Sequence, residues 1–309
     1  MKNIFVTGAA GFIGGTVAMR LVKGGYSVRG LVRDPIKAQE LAKTGIEPVV
    51  GNLDDEELLT VEAHRSDGVI NAASADHLPS IQVLVRALER SGKPLLHTSG
   101  SSVIGDDARG NHLSDAIFDE NTPLVVEPSK QPRRNIDLAV LDASKQGVRS
   151  VVICPSLIYG IGSGLNRQSI QIPFLVDQAR VDGVARVVGK GLNRWSNVHI
   201  DDLADLYVLA LEKALAGSFY FAANGENSFA EIGQAIARRL DLGEVKSWSA
   251  ELAAEQWGKA RAYYTFGSNS RVRAVRARTE LGWAPHCTPL LSWIQQDMAL
   301  SLFNLKENL

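Results

Sequence analysis

Three glycines, each three residues after the last, punctuate Thr7-Gly8-Ala9-Ala10-Gly11-Phe12-Ile13-Gly14, which follows a short apolar run and opens a helical pattern. Gly8 suits a tight turn, Gly11 lets backbone approach a pyrophosphate, and Gly14 allows close helix packing, while free amides at the helix start point at the anion. With Thr7 before the turn and Phe12 and Ile13 after it, the stretch is expected to hold a dinucleotide. A plain glycine-rich turn is the alternative, and it leaves the order of strand, turn and helix unexplained.

A second set of residues would read the nucleotide. Val32-Arg33-Asp34-Pro35 ends the next apolar run, where the ribose 2′ group would lie. Arg33 offers a planar fork of donors for a 2′-phosphate, and Lys37 follows one helical turn later, so NADP(H) is the expected cofactor. Asp34 keeps NAD(H) open, and a solvated strand-end charge is the competing reading of Arg33. Asn52 and Leu53 would border the adenine. Asp54 to Glu57 reads as a helix start, because Asp54 and Glu57 have capping-box spacing and acidic groups favour the first turn. His199 with Asp201 and Asp202 is too small a set for a metal, so none is expected. Arg271, Arg273, Arg276 and Arg278 crowd eight residues. They suit either a pyrophosphate or a solvated basic face.

The elements that must position these groups alternate. Asn3 to Val6, Val28 to Val32, Pro48 to Val50, Val69-Ile70, Pro94 to Leu96 and Ser150 to Ile153 are short apolar runs suited to strands buried on both faces. Val17, Leu21 and Val22 mark one intervening helix; Ile81, Leu84, Val85 and Leu88 mark another. This order predicts an α/β fold: a Rossmann-type doubly wound parallel sheet whose ligand crevice lies beyond the strand ends. After Cys154-Pro155 the rhythm breaks. The expected division is a dinucleotide-binding domain over 1–155 to which 198–222 returns, and a smaller, mostly C-terminal substrate domain over 156–197 and 223–309. Ser218 to Ala223 reads as the returning strand, with helices over Phe229 to Leu240 and Trp248 to Trp257. Asp106 to Pro132, rich in turn formers, is the candidate mobile flap.

Composition removes several classes. The 309 residues leave room for about two domains of roughly 150 each. With 33 basic and 34 acidic residues the net charge is -1, which supplies no cationic field for nucleic acid or an anionic membrane. Two cysteines, Cys154 and Cys287, cannot build a disulfide framework, so a reduced, cytoplasmic protein is expected. No apolar run reaches the ~18 residues of a membrane span, and Met1 to Val6 reads as strand, without a signal-type core. The expected partner is a small-molecule substrate, without nucleic acid or membrane, and with a homodimer left open.

Taken together, the chain resembles the extended short-chain dehydrogenase/reductase family, which includes nucleotide-sugar epimerases and dehydratases. The Val32 to Pro35 segment is similar to its dihydroflavonol-reductase branch. The resemblance rests on Thr7 to Gly14, Asn71-Ala72-Ala73, Thr98-Ser99-Gly100, Pro155 to Gly160, Asn197 to Asp202 and Glu280 to Pro285. It implies that Ala72, Ala73 and Ser74 line the cofactor and that Pro155 and Ser156 border the nicotinamide. It also implies that His199 and Asp201 brace the domain junction.

The family's proton relay is altered. Its members place a Tyr and a Lys four residues apart on the helix after the flap, where the ammonium lowers the phenol pKa. No Tyr-x-x-x-Lys occurs here. Aligned back from Val151 to Pro155, that helix is Ser129 to Gly147, with Asp137 at a common carboxylate, Arg133 at the Lys position and Ser129 at the Tyr position. Gly100 takes the place of the companion hydroxyl, and Ser99 and Ser101 flank it. The candidate catalytic residues are therefore Ser99, Ser101, Ser129 and Arg133. Arg133 would stabilise an oxyanion without shuttling protons; a surface cation preceded by an N-capping Ser129 is the alternative. The expected activity is NADP(H)-dependent oxidation or reduction of a small carbonyl or alcohol. The rival is a catalytically silent NADP(H) sensor, and a nucleotide-sugar epimerase or dehydratase ranks behind both.

Overall fold

The computed structural model describes residues 2–302. Strand β1 (Asn3–Thr7) buries Ile4, Phe5 and Val6 on both faces of a sheet, and helix α1 (Phe12–Lys23) follows it directly. The chain continues through β2 (Ser27–Val32), α2 (Pro35–Ala42), β3 (Glu47–Val50), α3 (Glu56–Arg65) and β4 (Gly68–Asn71). Next come α4 (Leu78–Leu88), β5 (Pro94–Thr98), α5 (Gln131–Asp142) and β6 (Arg149–Pro155). It then leaves the sheet for β7 (Leu157–Tyr159), α6 (Gln171–Asp182), β8 (Arg186–Val188) and β9 (Arg194–His199). Helix α7 (Ile200–Lys213) carries it back to β10 (Ser218–Ala222). The rest comprises β11 (Gly225–Ser228), α8 (Phe229–Arg239), β12 (Lys246–Trp248), α9 (Ala250–Trp257), α10 (Val275–Leu281) and α11 (Leu290–Gln296).

Seven parallel strands stand in the order β3-β2-β1-β4-β5-β6-β10. Strand order reverses beside β1, so a crevice opens between the ends of β1 and β4. Thr7 pairs with Asn71 and Thr98 with Ile153, which sets the strand exits side by side. The apolar stripe Ile81, Leu84, Val85 and Leu88 buries α4 against the sheet.

A second core gathers Leu157, Trp195, Phe229, Trp257, Phe266 and Trp293 around β7, β9, α6, α8, α9 and α11. The sheet core also takes in Val272, Ala277, Leu281 and Trp283, so α10 packs on β10 and α7 although the sequence pattern groups it with the smaller region. Among the described residues no helix is long and apolar enough to cross a membrane.

Three local expectations need correction. Trp248 ends β12, and the helix after it starts at Ala250, capped by Ser249 Oγ. The cap of α3 is Asp55, whose carboxylate accepts from Leu58 N at 3.0 Å, while Asp54 lies in the turn before it. The helix expected over Ser129 to Gly147 is split into a 3-10 turn at Pro128–Lys130, α5, and a second turn at Ala143–Gln146, with Pro132 fixing the start of α5. Segment 106–132, the candidate flap, is bonded to the rest of the chain at several points, among them the following. Asp106 accepts from Asn269 N at 2.8 Å, and Phe118 pairs its backbone with Arg271 and Arg273. The Glu120 carboxylate accepts from the backbone N–H of Phe221, Val275 and Arg276.

Candidate functional site

The glycine corner is built by exclusion. At Gly8 (φ +74°) a Cβ would lie 2.7 Å from Ala72 O, and at Gly14 it would run into the Gly8 carbonyl. Only glycine lets the turn, the β4 exit and the helix start share this space. Gly11 occupies the N-cap of α1 with no side-chain cap and no acidic residue in the first turn, so the helix amides open onto the crevice. Thr7 is buried and donates to Asn71 Oδ1 at 2.5 Å, bracing the β1 and β4 exits.

The crevice holds about 930 Å³, and nine of the expected cofactor residues line it: Gly8, Gly11, Arg33, Lys37, Asn52, Leu53, Ala72, Ala73 and Ser74. Arg33 and Lys37 are exposed on its rim, and neither has a protein partner among the described residues. Asp34 accepts from Ile36 N at 2.8 Å as the N-cap of α2, so one of its carboxylate oxygens is engaged. Thr7, Phe12, Ile13, Gly14, Pro155 and Ser156 are not among the residues that line it. Ser156 Oγ donates to Ala222 O at 2.9 Å and ties the β6 exit to β10. The sequence reading missed the opposite wall, Leu165, Asn166, Gln168, Ser169 and Ile170. That loop reaches the crevice because Gly164 and Gly15 meet backbone to backbone; a Cβ on Gly164 would stand 2.7 Å from Gly15 Cα.

Beyond β4 and β5 lies a polar cluster. Arg133 clasps Asp76 with two bonds, Nε to Oδ1 at 2.8 Å and Nη2 to Oδ2 at 2.6 Å, and its Nη1 donates to Ser102 Oγ at 3.1 Å. The Arg133 guanidinium holds the Asp76 carboxyl below its usual range. Ser99 donates to Asp137 Oδ2 at 2.9 Å, in a buried pocket shared with His97 and Cys154. Burial pushes Asp137 up to about 6 despite the Ser99 bond and the charges of Arg134 and Arg133. Burial likewise lowers His97 to about 4, with the Arg133 charge adding to the effect. Asn71 Nδ2 lies 3.0 Å from His97 Nδ1, which fixes that nitrogen as acceptor and puts the proton on Nε2. Nε2 lies 3.9 Å from Asp137 Oδ1, and neither atom has a hydrogen-bond partner.

A sequence profile described as "NAD dependent epimerase/dehydratase family" matches residues 4–220. The chain belongs to that family. Its similar proteins include an uncharacterized protein of Schizosaccharomyces pombe, 32% identical over 96% of this chain and 99% of that one. The oxidase ucsJ of Acremonium sp is 33% identical over 95% of this chain and 96% of its own length. A 4-hydroxy-2-methyl-3-oxo-4-farnesyl-3,4-dihydroquinoline-1-oxide ketoreductase of Stigmatella aurantiaca is 28% identical over 92% of each. Among solved structures, the dTDP-glucose 4,6-dehydratase of Bacillus anthracis in complex with NAD superposes with a TM-score of 0.75. The identity is 21%, over 96% of this chain and 95% of that one, a likeness of fold.

Within this epimerase/dehydratase fold the four catalytic candidates separate. Arg133 faces Asp76 and Ser102, whereas Ser99 is turned inward to Asp137. Ser101 is buried against Ser270 Oγ at 2.8 Å, away from Arg133; Ser102 is the serine beside the guanidinium. Ser129 is exposed, bonded to Glu127, and caps no helix. The arginines of the C-terminal region are engaged. Arg271 and Arg273 both hold Glu226, Arg276 holds Glu280 at 2.6 Å, and Arg278 donates to Asn224 Oδ1. At the junction it is Asp202, more than Asp201, that reaches across, accepting from the backbone N–H of His286 and Cys287.

Proposed function

We propose that this chain is an NADP(H)-dependent oxidoreductase acting on a small carbonyl or alcohol substrate. The observation that carries the reading is the pair of cations, Arg33 and Lys37, without a protein partner among the described residues on a crevice rim where the neighbouring Asp34 is engaged as a helix cap. A bound nicotinamide would exchange a hydride with the substrate carbon. Arg133 and Ser102 would donate to the substrate oxygen as charge develops on it, and Asp76 would fix the plane of the guanidinium. The proton for that oxygen would come from water in the cleft, since Ser99 donates inward to the buried Asp137. The names of the ketoreductase and oxidase relatives support this class. The engaged C-terminal arginines count against a nucleotide-sugar pyrophosphate. The buried Cys154 and half-buried Cys287, both free thiols, support a reducing compartment such as the cytoplasm.

A silent NADP(H) sensor is the second reading, favoured by the fact that Ser99, Ser101, Ser129 and Arg133 all have protein partners. One experiment separates the two. The purified chain is mixed with NADPH and a panel of aldehydes and ketones, and coenzyme oxidation is followed beside an Arg133→Ala variant. Turnover lost in the variant supports the enzyme; tight NADPH binding without turnover supports the sensor. Arg33→Ala should weaken NADPH roughly 10- to 150-fold more than NADH, matching about 1.5–3 kcal/mol for a charge-assisted bond. Equal weakening of both coenzymes would remove the phosphate argument.

A further inference from the structure

The crevice wall opposite the glycine corner comes from the loop between β7 and α6, and that loop is held on the same turn of α1 whose amides open onto the crevice. Gly162 and Gly164 make the contact possible. A Cβ on Gly162 would stand 2.9 Å from Thr16 Oγ1 and 3.0 Å from Phe12 Cδ2, and one on Gly164 would stand 2.7 Å from Gly15 Cα. Backbone therefore lies directly on the first turn of α1. The loop also closes on itself. Gly162 N donates to Arg167 O at 2.9 Å, and Arg167 Nε returns to Gly162 O at 3.3 Å. Leu165 packs against the sheet core. These contacts make a short strap whose place on α1 is set by the protein alone.

We propose that this strap, residues 161–170, grips the coenzyme pyrophosphate from the side opposite Gly8 and Gly11, with the Asn166 amide and the Ser169 hydroxyl as donors and Ile170 as an apolar cover. The proposal rests on the dinucleotide reading of the crevice and adds the second wall to it. Asn166, Ser169 and Ile170 all line the crevice. Asn166 Oδ1 accepts from Gln168 N at 3.1 Å, while its Nδ2 has no protein partner among the described residues, and neither has Ser169 Oγ. Two neutral donors beside a charged pyrophosphate make charge-assisted bonds without adding net charge to the site. Reach is sufficient. Asn166 is two residues beyond Gly164, a span of at most about 7 Å, and Gly164 touches α1 at Gly15, one turn from Gly11. Ile170 is 79% exposed, the most exposed large hydrophobic side chain among the described residues. A coenzyme in the crevice would cover it, and taking that apolar surface out of water favours the bound state. Both nicotinamide coenzymes carry the pyrophosphate, so the strap raises affinity for each alike, whereas Arg33 and Lys37 discriminate between them.

The test is calorimetric titration of the full chain with NADPH, NADH and adenosine 2′-monophosphate, which carries the 2′-phosphate but no pyrophosphate. Asn166→Ala combined with Ser169→Ala should weaken NADPH and NADH by the same factor, roughly tenfold or more, and leave adenosine 2′-monophosphate unchanged. Ile170→Ala should weaken both coenzymes by a smaller factor. Ser163→Ala, in the same loop but outside the lining, should change nothing. Hydrogen exchange across 165–170 should slow with NADPH and not with adenosine 2′-monophosphate, which reads the contact without a substitution. Coenzyme binding equal to wild type in the double variant would overturn the strap, as would a weakening confined to NADPH or shared by the mononucleotide. A wild-type chain that binds neither coenzyme would overturn the dinucleotide reading itself, a result distinct from wild type and variant binding equally well.

Discussion

His97 and Asp137 make opposite demands on the protein as pH changes, and the structure lets both be worked out. Both side chains are fully buried, and the facing atoms, Nε2 and Oδ1, lack partners at 3.9 Å. His97 has a folded pKa depressed from 6.5 to about 4, so its contribution is present above pH 6.5 and is lost as pH falls toward 4. Asp137 has a folded pKa raised from 3.8 to about 6, so its contribution is present below 3.8 and is lost as pH rises through about 6. Each displacement corresponds to about 3 kcal/mol, and the two run in opposite directions over nearly the same window. The wild-type chain is therefore expected to show little net slope from this pair between about pH 4 and 6.5.

Removing one partner should expose the other. In Asp137→Asn the histidine remains, and stability relative to wild type should fall by roughly 3 kcal/mol as pH is lowered from about 6.5 to 4. In His97→Gln the acid remains, and relative stability should rise over the same interval by a similar amount. Urea unfolding at several pH values reads the slopes, and the comparison with wild type cancels the other titrating groups. The absolute offset of each variant carries other losses, such as the Ser99 bond, and does not enter. If both variants run parallel to wild type within about 0.5 kcal/mol, the two groups do not keep displaced pKa values in the folded chain.

Three further outcomes are expected. Gly14→Ala pushes a methyl into the Gly8 carbonyl and should cost about 1–3 kcal/mol and weaken NADPH; a melting curve and binding isotherm equal to wild type would contradict the close-packed corner. Asp76→Asn removes the charged partner that orients Arg133, and kcat should drop roughly 10- to 100-fold with little change in Tm; an unchanged kcat would take Asp76 out of the site. Glu120→Gln replaces an acceptor of three backbone N–H groups with a side chain that is half donor, and should cost about 1–3 kcal/mol in urea unfolding; no loss would mean that the fastening of segment 106–132 contributes nothing.

The strands were legible because a parallel strand buried on both faces is a continuous apolar run, and the glycine corner because its demands are local. Arg33 and Lys37 were picked out by their place at the end of the second apolar run, and both line the crevice. Ser102 was not legible. Counting along the chain singles out the serines flanking Gly100, whereas Ser101–Ile104 is a 3-10 turn in which each side chain rotates about a third of a turn from the last. Ser101 therefore meets Ser270, and Ser102 meets Arg133. Asp76, Leu165 and Asn166 carry no periodic or motif signal; a glycine contact across 149 positions sets the loop's place, and only Gly164 hints at it. Asp55 displaced Asp54 as a cap because Asn52 Oδ1 accepts from Asp54 N and turns the chain one residue later than the spacing suggests.

The distribution of satisfied and unsatisfied cations bears on what enters the cleft. A guanidinium held by a carboxylate has little left for an anionic ligand, whereas one without a partner gains charge-assisted bonds when such a ligand arrives. Arg133 is committed to Asp76, Arg271 and Arg273 to Glu226, and Arg276 to Glu280, while Arg33 and Lys37 have no ion-pair partner among the described residues. Fixed positive charge is thus free at the rim where a 2′-phosphate would sit, whereas beside Ser102 the Arg133 charge is offset by Asp76, with Lys130 near the same carboxylate. Arg133 keeps a hydrogen on Nη1 beyond its bond to Ser102, enough to meet a carbonyl oxygen as its charge grows, and the carboxylate behind it discourages a ligand already negative. On these grounds an uncharged carbonyl compound fits the inner cleft better than an organic acid or a sugar nucleotide, and the substrate panel should divide along that line.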